Sequence, residues 1–336
     1  MVKRNETHKT RWALVLAVLL ALPVAFIGSA LTESGIAQAQ EEDEPKFKGK
    51  KAKQMSASVS KIMNKVVEFL DAEDFAAARK ELDKAKNLEN TSSYDRSQIY
   101  SFSGYLNFEA ENIRAALADY NKVLAEPEVQ EAQKQGAYRA LAQLSFVQDD
   151  FDSAIRYAKG YIDDVGPDAT MYVVIGQAYY EKGDYNSMID PVEKAINMTQ
   201  EAGGQTKEGW WQLLRLGYWE KENYPRVREI MEVMVTNWPK KDYWLQLGAV
   251  YSQLEDEARQ LAAYEAAYDQ GMLDSSNELM TLGQLLVNSN APFKGARVME
   301  KGMNEGKVEK TARNYRALAT AWQLAQEDRK ALEPLN

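Results

Sequence analysis

"MYVVIGQAYYEKGDYNSMIDPVEKAINM", residues 171–198, carries apolar residues at helical spacing on both sides of Gly183-Asp184. Before the turn stand Tyr172, Ile175, Gly176 and Tyr179; after it, Met188, Val192 and Ala195 lie three, seven and ten residues beyond Tyr185. Steps of three and four keep one face of a helix, and a Gly-Asp pair interrupts it. The stretch therefore predicts two short amphipathic helices joined by a tight turn. Such a pair is too short to bury its own apolar faces, so its aromatic and small residues make sense only if like pairs cover it on both sides.

The rest of the chain supplies those pairs. Aligning Tyr185 with equivalent positions gives Phe75, Ile113, Phe151, Tyr185, Tyr224, Glu257, Phe293 and Asp328, a recurrence of 33 to 39 residues. Three residues after each anchor small residues dominate, as at Ala78, Ala116, Ala154 and Ala296, where two helices must approach closely. Upstream, Trp211, Leu214, Arg215 and Tyr218 match the quoted unit, and Trp244, Leu247, Gly248 and Tyr251 repeat it. Pro127, Pro167 and Pro239 fall where second helices should stop. Pro191 lies inside one, where a kink is expected, and recurs as Pro334.

In its Trp/Tyr, Leu, Gly, Tyr, small, aromatic, Ala and late-Pro positions the sequence resembles the tetratricopeptide repeat (TPR). The resemblance implies an all-α fold, a TPR-type helix-turn-helix solenoid wound as a right-handed superhelix. It extends over residues 59–336 as seven repeats plus a partial eighth.

Residues 1–39 differ in kind. Lys3, Arg4, Lys9 and Arg11 precede an apolar run from Trp12 to Ile27, and Ala37-Gln38-Ala39 follows at A-x-A spacing. This is the pattern of a secretory signal peptide; an uncleaved membrane anchor and outward secretion are the alternatives, and the short run broken by Pro23 argues against the anchor. Cleavage after Ala39 leaves a charged linker, 40–58, reading "EEDEPKFKGKKAKQ" over its first part, and no stable membrane insertion is expected. The leader holds four basic and two acidic residues, so the mature chain has 37 Lys and Arg against 48 Asp and Glu, a net charge of −11. That balance argues against nucleic acid as partner. Cysteine is absent and the one histidine, His8, lies in the leader. The mature chain thus has no thiolate, no amino-terminal lipid attachment at Cys and no imidazole for zinc or general-base chemistry. No catalytic, metal or cofactor-binding residue is assigned, and no cofactor is expected.

A solenoid of this kind lines a concave surface with its first helices. The resemblance places contacts there at Tyr105, Phe108, Arg139, Gln143, Phe146, Gln177, Tyr180, Gln212, Trp219 and Gln284. Rings and amides suit a protein or extended peptide in the groove. The carboxylate clamp of chaperone-binding relatives needs Lys and Asn one turn apart on successive first helices. The pairs here are Met63 and Val67, Ser101 and Tyr105, Arg139 and Gln143, and Val173 and Gln177, so no such clamp is expected. Asp149-Asp150 and Asp163-Asp164 stand at helix junctions, where carboxylates cap, and Gly203-Gly204 is too isolated for a phosphate loop.

Taken with its leader, linker and units such as "LDAEDFAAARKELDKAK" and "YRALAQLSFVQDDFDSAIRYAKGYI", the chain resembles the periplasmic TPR proteins encoded with TonB, ExbB and ExbD systems in gammaproteobacteria. That resemblance implies a periplasmic, non-catalytic scaffold accessory to energised uptake across the outer membrane, with TonB-system components among its partners. A scaffold for cell-envelope maintenance, acting in peptidoglycan synthesis or outer-membrane assembly, stays open beside it. The last unit stops before a second helix is complete, so a natural continuation beyond Asn336 and an easily opened segment 312–336 are expected.

Overall fold

A computed structural model describes residues 54–332. The leader, residues 40–53 of the linker and residues 333–336 with Pro334 lie outside the described residues. Among those described there are sixteen helices and no strands. The first helices of successive pairs are α1 (Ala57–Asp71), α3 (Ser93–Glu109), α5 (Glu131–Val147), α7 (Ala169–Glu181), α9 (Glu208–Glu220), α11 (Lys241–Gln253), α13 (Ser276–Asn288) and α15 (Ala312–Leu324). The second helices are α2 (Phe75–Lys86), α4 (Ile113–Ala125), α6 (Phe151–Asp164), α8 (Tyr185–Glu201), α10 (Tyr224–Asn237), α12 (Glu257–Asp269), α14 (Pro292–Asn304) and the short α16 (Asp328–Leu332). The chain divides into two compact halves between Asp184 and Tyr185.

Seven of the eight sequence anchors are the first residue of a second helix. The exception is Phe293, because Pro292 opens α14. A proline's missing N–H costs nothing in the first turn, so the helix starts one residue early. In consequence Met299, not Glu300, is the fully buried residue of that pair.

One turn recurs through the chain. The residue two before each second helix has positive φ: Glu73, Glu111, Asp149, Glu222, Glu255, Asn290 and Gln326 fall between 55° and 61°, and Gly183 at 72°. The next residue donates its N–H back across the end of the first helix, as Asp74 does to Phe69 O and Asp150 to Ser145 O, each at 2.8–2.9 Å. That same residue then caps the second helix. Asp74, Asn112, Asp150, Asn223 and Asp256 each accept the backbone N–H three residues on. Short polar side chains at this point thus end one helix and start the next. Within α8 the helix continues through Pro191.

In the amino-terminal half one core joins α1, α2 and α3 around Met63, Leu82 and Leu106; another joins α5, α6 and α7 around Ala154, Ala158 and Met171. Polar groups stitch α2, α3 and α4. Asp119 accepts from Ser103 Oγ at 2.5 Å, Asn107 Nδ2 at 2.9 Å and Lys122 Nζ at 2.8 Å, while Arg79 donates to Asn107 Oδ1 and Leu106 O. In the carboxy-terminal half a core runs from α12 to α15 around Leu282, Met299 and Trp322. No helix among the described residues is long and apolar enough to cross a membrane.

A fork at the end of α4 gives a pH-dependent contribution. Arg96 donates Nε to Glu126 Oε1 at 2.8 Å and Nη2 to Oε2 at 2.7 Å, and its Nη1 reaches Thr91 O. The Arg96 hydrogen bond holds the Glu126 carboxyl below its ordinary value, against burial, which raises it. A lowered folded pKa means stability that is present above the unfolded value, roughly pH 4.3, and lost as pH falls through the folded one. Because the Arg96 side chain is 39% exposed, screening limits the effect. Glu126→Gln is expected to cost about 1 kcal/mol at neutral pH. In urea titrations the difference from wild type should vanish once pH has fallen below the lowered folded-state value. A constant difference down to that pH would show that shape, not charge, carries the contact.

Candidate functional site

The anticipated contact residues stand on first helices. In the amino-terminal half Tyr105 and Phe108 belong to α3, Arg139, Gln143 and Phe146 to α5, and Gln177 and Tyr180 to α7. All seven are half-buried, and α5 packs beside both α3 and α7. Arg139, Gln143 and Phe146 follow at steps of four and three and share one face. The fold thus sets these rings and amides on neighbouring first helices, each with part of its surface in water.

Their individual duties differ. Arg139 is occupied within the fold: Nη2 donates to Asp168 Oδ2 at 2.6 Å and to Tyr161 OH at 2.8 Å, and the guanidinium lies 4.9 Å from the Tyr161 ring centre. Asp168 also caps α7 through Met171 N. The Arg139 charge is therefore matched by a carboxylate of the chain itself, which weighs further against a clamp for a ligand's carboxylate. Phe146 meets Phe151 edge-on at 5.2 Å and packs on the α5–α7 core, so much of its ring is structural. Burial, reinforced by the charge of Glu109 and a hydrogen bond to it, pushes the Tyr105 phenol up. Gln143 Oε1 is buried without a hydrogen-bond partner.

In the carboxy-terminal half, Gln212 of α9 donates to Tyr243 OH, and Tyr243 and Lys240 both bond Glu208. These contacts tie α9 to the start of α11, and the Lys240 and Tyr243 hydrogen bonds hold the Glu208 carboxyl below its usual value. Trp219 is 37% exposed and meets Tyr224 edge-on at 5.5 Å. Gln284 is exposed and bonds only along its own helix, to Asn288 Oδ1 at 2.8 Å.

Trp219 also borders a feature absent from the anticipated set, a cleft of about 260 Å³ between α9, α10 and α11. Arg215 and Trp219 line it from α9, Val227 and Met231 from α10, and Gln246, Ala249 and Val250 from α11. The signal that could have found it is the alignment itself, in which Arg215 occupies the place of Gly176 and Gly248. Among the described residues no group of three or more Asp, Glu, His or Cys is placed to hold a metal ion.

No protein-family model matches the chain, and no curated protein does. Solved structures do. A tetratricopeptide repeat protein from Parabacteroides merdae is 13% identical, with 79% of this chain and 99% of that one covered and a TM-score of 0.47. The carboxy-terminal part of a TPR repeat-containing protein from Cytophaga hutchinsonii is 16% identical, with 81% and 99% covered and a TM-score of 0.47. The structure of Naa15/Naa10 bound to HypK gives 11% identity and a TM-score of 0.51 over 83% of this chain, which spans 41% of the length of the chain it matches. At such identities the likeness concerns the fold alone, and the fold is an all-α solenoid of the TPR type.

Proposed function

We propose that this protein is a non-catalytic scaffold whose first helices hold a protein or an extended peptide. The observation that carries the reading is the set of part-exposed rings and amides on neighbouring first helices, Tyr105, Gln143, Gln177 and Tyr180. Amides of this kind pair with main-chain groups, and rings supply contact area at little entropic cost. The Naa15/Naa10 structure was solved with HypK bound, so a protein occupant has precedent on a similar fold.

The leader pattern supports a periplasmic setting, and the resemblance to TPR proteins encoded beside TonB, ExbB and ExbD supports a role in energised uptake. Crosslinking in cells exporting the full chain tests both parts. Components of the TonB system should be recovered, and Tyr180→Ala or Trp219→Ala should weaken recovery roughly tenfold or more, the loss usual for a buried aromatic anchor. Equal recovery by folded variants would remove these side chains from the interface. Recovery of peptidoglycan synthases or barrel-assembly factors instead would favour envelope maintenance.

A further inference from the structure

Three successive turns of the amino-terminal half, those that end α1, α3 and α5, read "DAED" at 71–74, "EAEN" at 109–112 and "QDD" at 148–150. Asp74, Asn112 and Asp150 cap the helices that follow. The other carboxylates, Asp71, Glu73, Glu109, Glu111 and Asp149, are exposed, and none of them forms an ion pair among the described residues. Arg114 is the one Lys or Arg within three residues of these turns, so the row stays negative. The cations of α3 and α5 are matched within the fold: Arg96 by Glu126, Lys134 by Asp164 at 3.7 Å and Arg139 by Asp168. Helix α7 carries no Lys or Arg. The acidic row adjoins the part-exposed rings. Glu109 stands one turn beyond Tyr105 and is hydrogen-bonded to it, while Phe108 and Phe146 lie in the last turns of α3 and α5.

We infer that this face takes a basic extended peptide, with Lys or Arg at every third residue and apolar residues between. The inference rests on the scaffold reading above and gives its occupant a charge and a spacing. The charge follows from the imbalance: ionised carboxylates only accept, Lys and Arg only donate, and the fold supplies these five with no cation. The spacing follows from the helices. Helix α3 packs beside α5 and shares a core with α1, and packed helices lie about 8–10 Å apart. Three residues of polyproline-II chain rise about 9 Å and make one turn, so every third side chain points the same way. A peptide crossing the three helix ends thus brings one cation to Asp71 and Glu73, the next to Glu109 and Glu111, and the third to Asp149. Its apolar residues then lie over Tyr105, Phe108 and Phe146, whose rings offer contact area.

The test uses the full mature chain and a fluorescently labelled peptide, Lys-Pro-Leu three times over, followed by anisotropy. Saturable binding is expected, weakened about tenfold by Asp71→Asn, Glu109→Gln and Asp149→Asn together, which remove one exposed ion pair at each helix end. Glu257→Gln, Asp269→Asn and Glu309→Gln together neutralise three exposed carboxylates of the other half and reach the same net charge. Binding by that variant should match wild type, and both triple variants should keep the wild-type melting temperature. A probe of the same composition with its three lysines adjacent should bind severalfold more weakly, and about 0.5 M salt should abolish most of the binding. The site is overturned by an absent saturable response, by indifference to salt, or by equal losses in the two triple variants. Equal binding of the two probes overturns the spacing. Partner recovery in cells that falls with Tyr180→Ala but is unmoved by the variant at positions 71, 109 and 149 would sink the basic occupant and leave the scaffold reading standing.

Discussion

Gly295→Val is expected to cost the carboxy-terminal half about 3 kcal/mol, near the upper end for overpacking a closed core. Gly295 opens the buried face of α14 against α13, and a Cβ placed on it would lie 2.5 Å from the Gly283 carbonyl oxygen and 3.0 Å from Val287 Cγ2. The first of these is a backbone atom and cannot rotate aside, so the two helices must part. Parting them loosens Leu282, Leu286 and Met299, which belong to the same core. A side chain at Gly136, an exposed position of α5, meets nothing within 4 Å, so Gly136→Ala should instead gain up to about 1 kcal/mol from backbone entropy and helix propensity. Urea unfolding of the two variants should move in opposite directions. A Gly295→Val midpoint close to wild type would mean that α13 and α14 slide apart at little cost.

The pairing of helices was legible because it is a local matter. In five of the turns a short polar residue caps the next helix, at Asp74, Asn112, Asp150, Asn223 and Asp256. The residue before it was less visible. Glu73, Glu111, Glu222 and Glu255 adopt positive φ with no glycine to announce it, because the flanking caps hold the turn. Register slipped by one where Pro292 opened a helix early. Site residues were less legible again, since their occupation depends on partners about one repeat away. Arg139 meets Asp168 and Gln212 meets Tyr243 at separations of 29 and 31 residues, so counting positions within a repeat could not show that these side chains were engaged. Arg215 is the opposite case, a departure from the pattern that stood in the alignment but took its meaning only from the cleft beside it.

The last prediction concerns Trp322, which is fully buried at the centre of the final core. Leu318 and Ala321 share its helix, Met299 and Met303 face it within the same core, and Phe293 meets it edge-on at 5.4 Å. Lys330 lies 4.4 Å above its ring centre and so holds α16 against α15, although none of the α16 side chains is itself buried. Trp322→Ala is expected to cost about 4 kcal/mol through lost contacts and a cavity too large to collapse. Because repeats couple mainly to their neighbours, the damage should be regional. Hydrogen exchange should rise steeply in α13 to α16 while α5 to α7 keep their protection. The indole Nε1 is buried without a hydrogen-bond partner, so the ring's value here is its bulk. Trp322→Phe keeps much of that bulk, removes the unmatched donor and should cost about 1–2 kcal/mol. A phenylalanine variant as damaged as the alanine one would require an acceptor for the indole N–H, and uniform exchange across the chain would require the repeats to unfold as one.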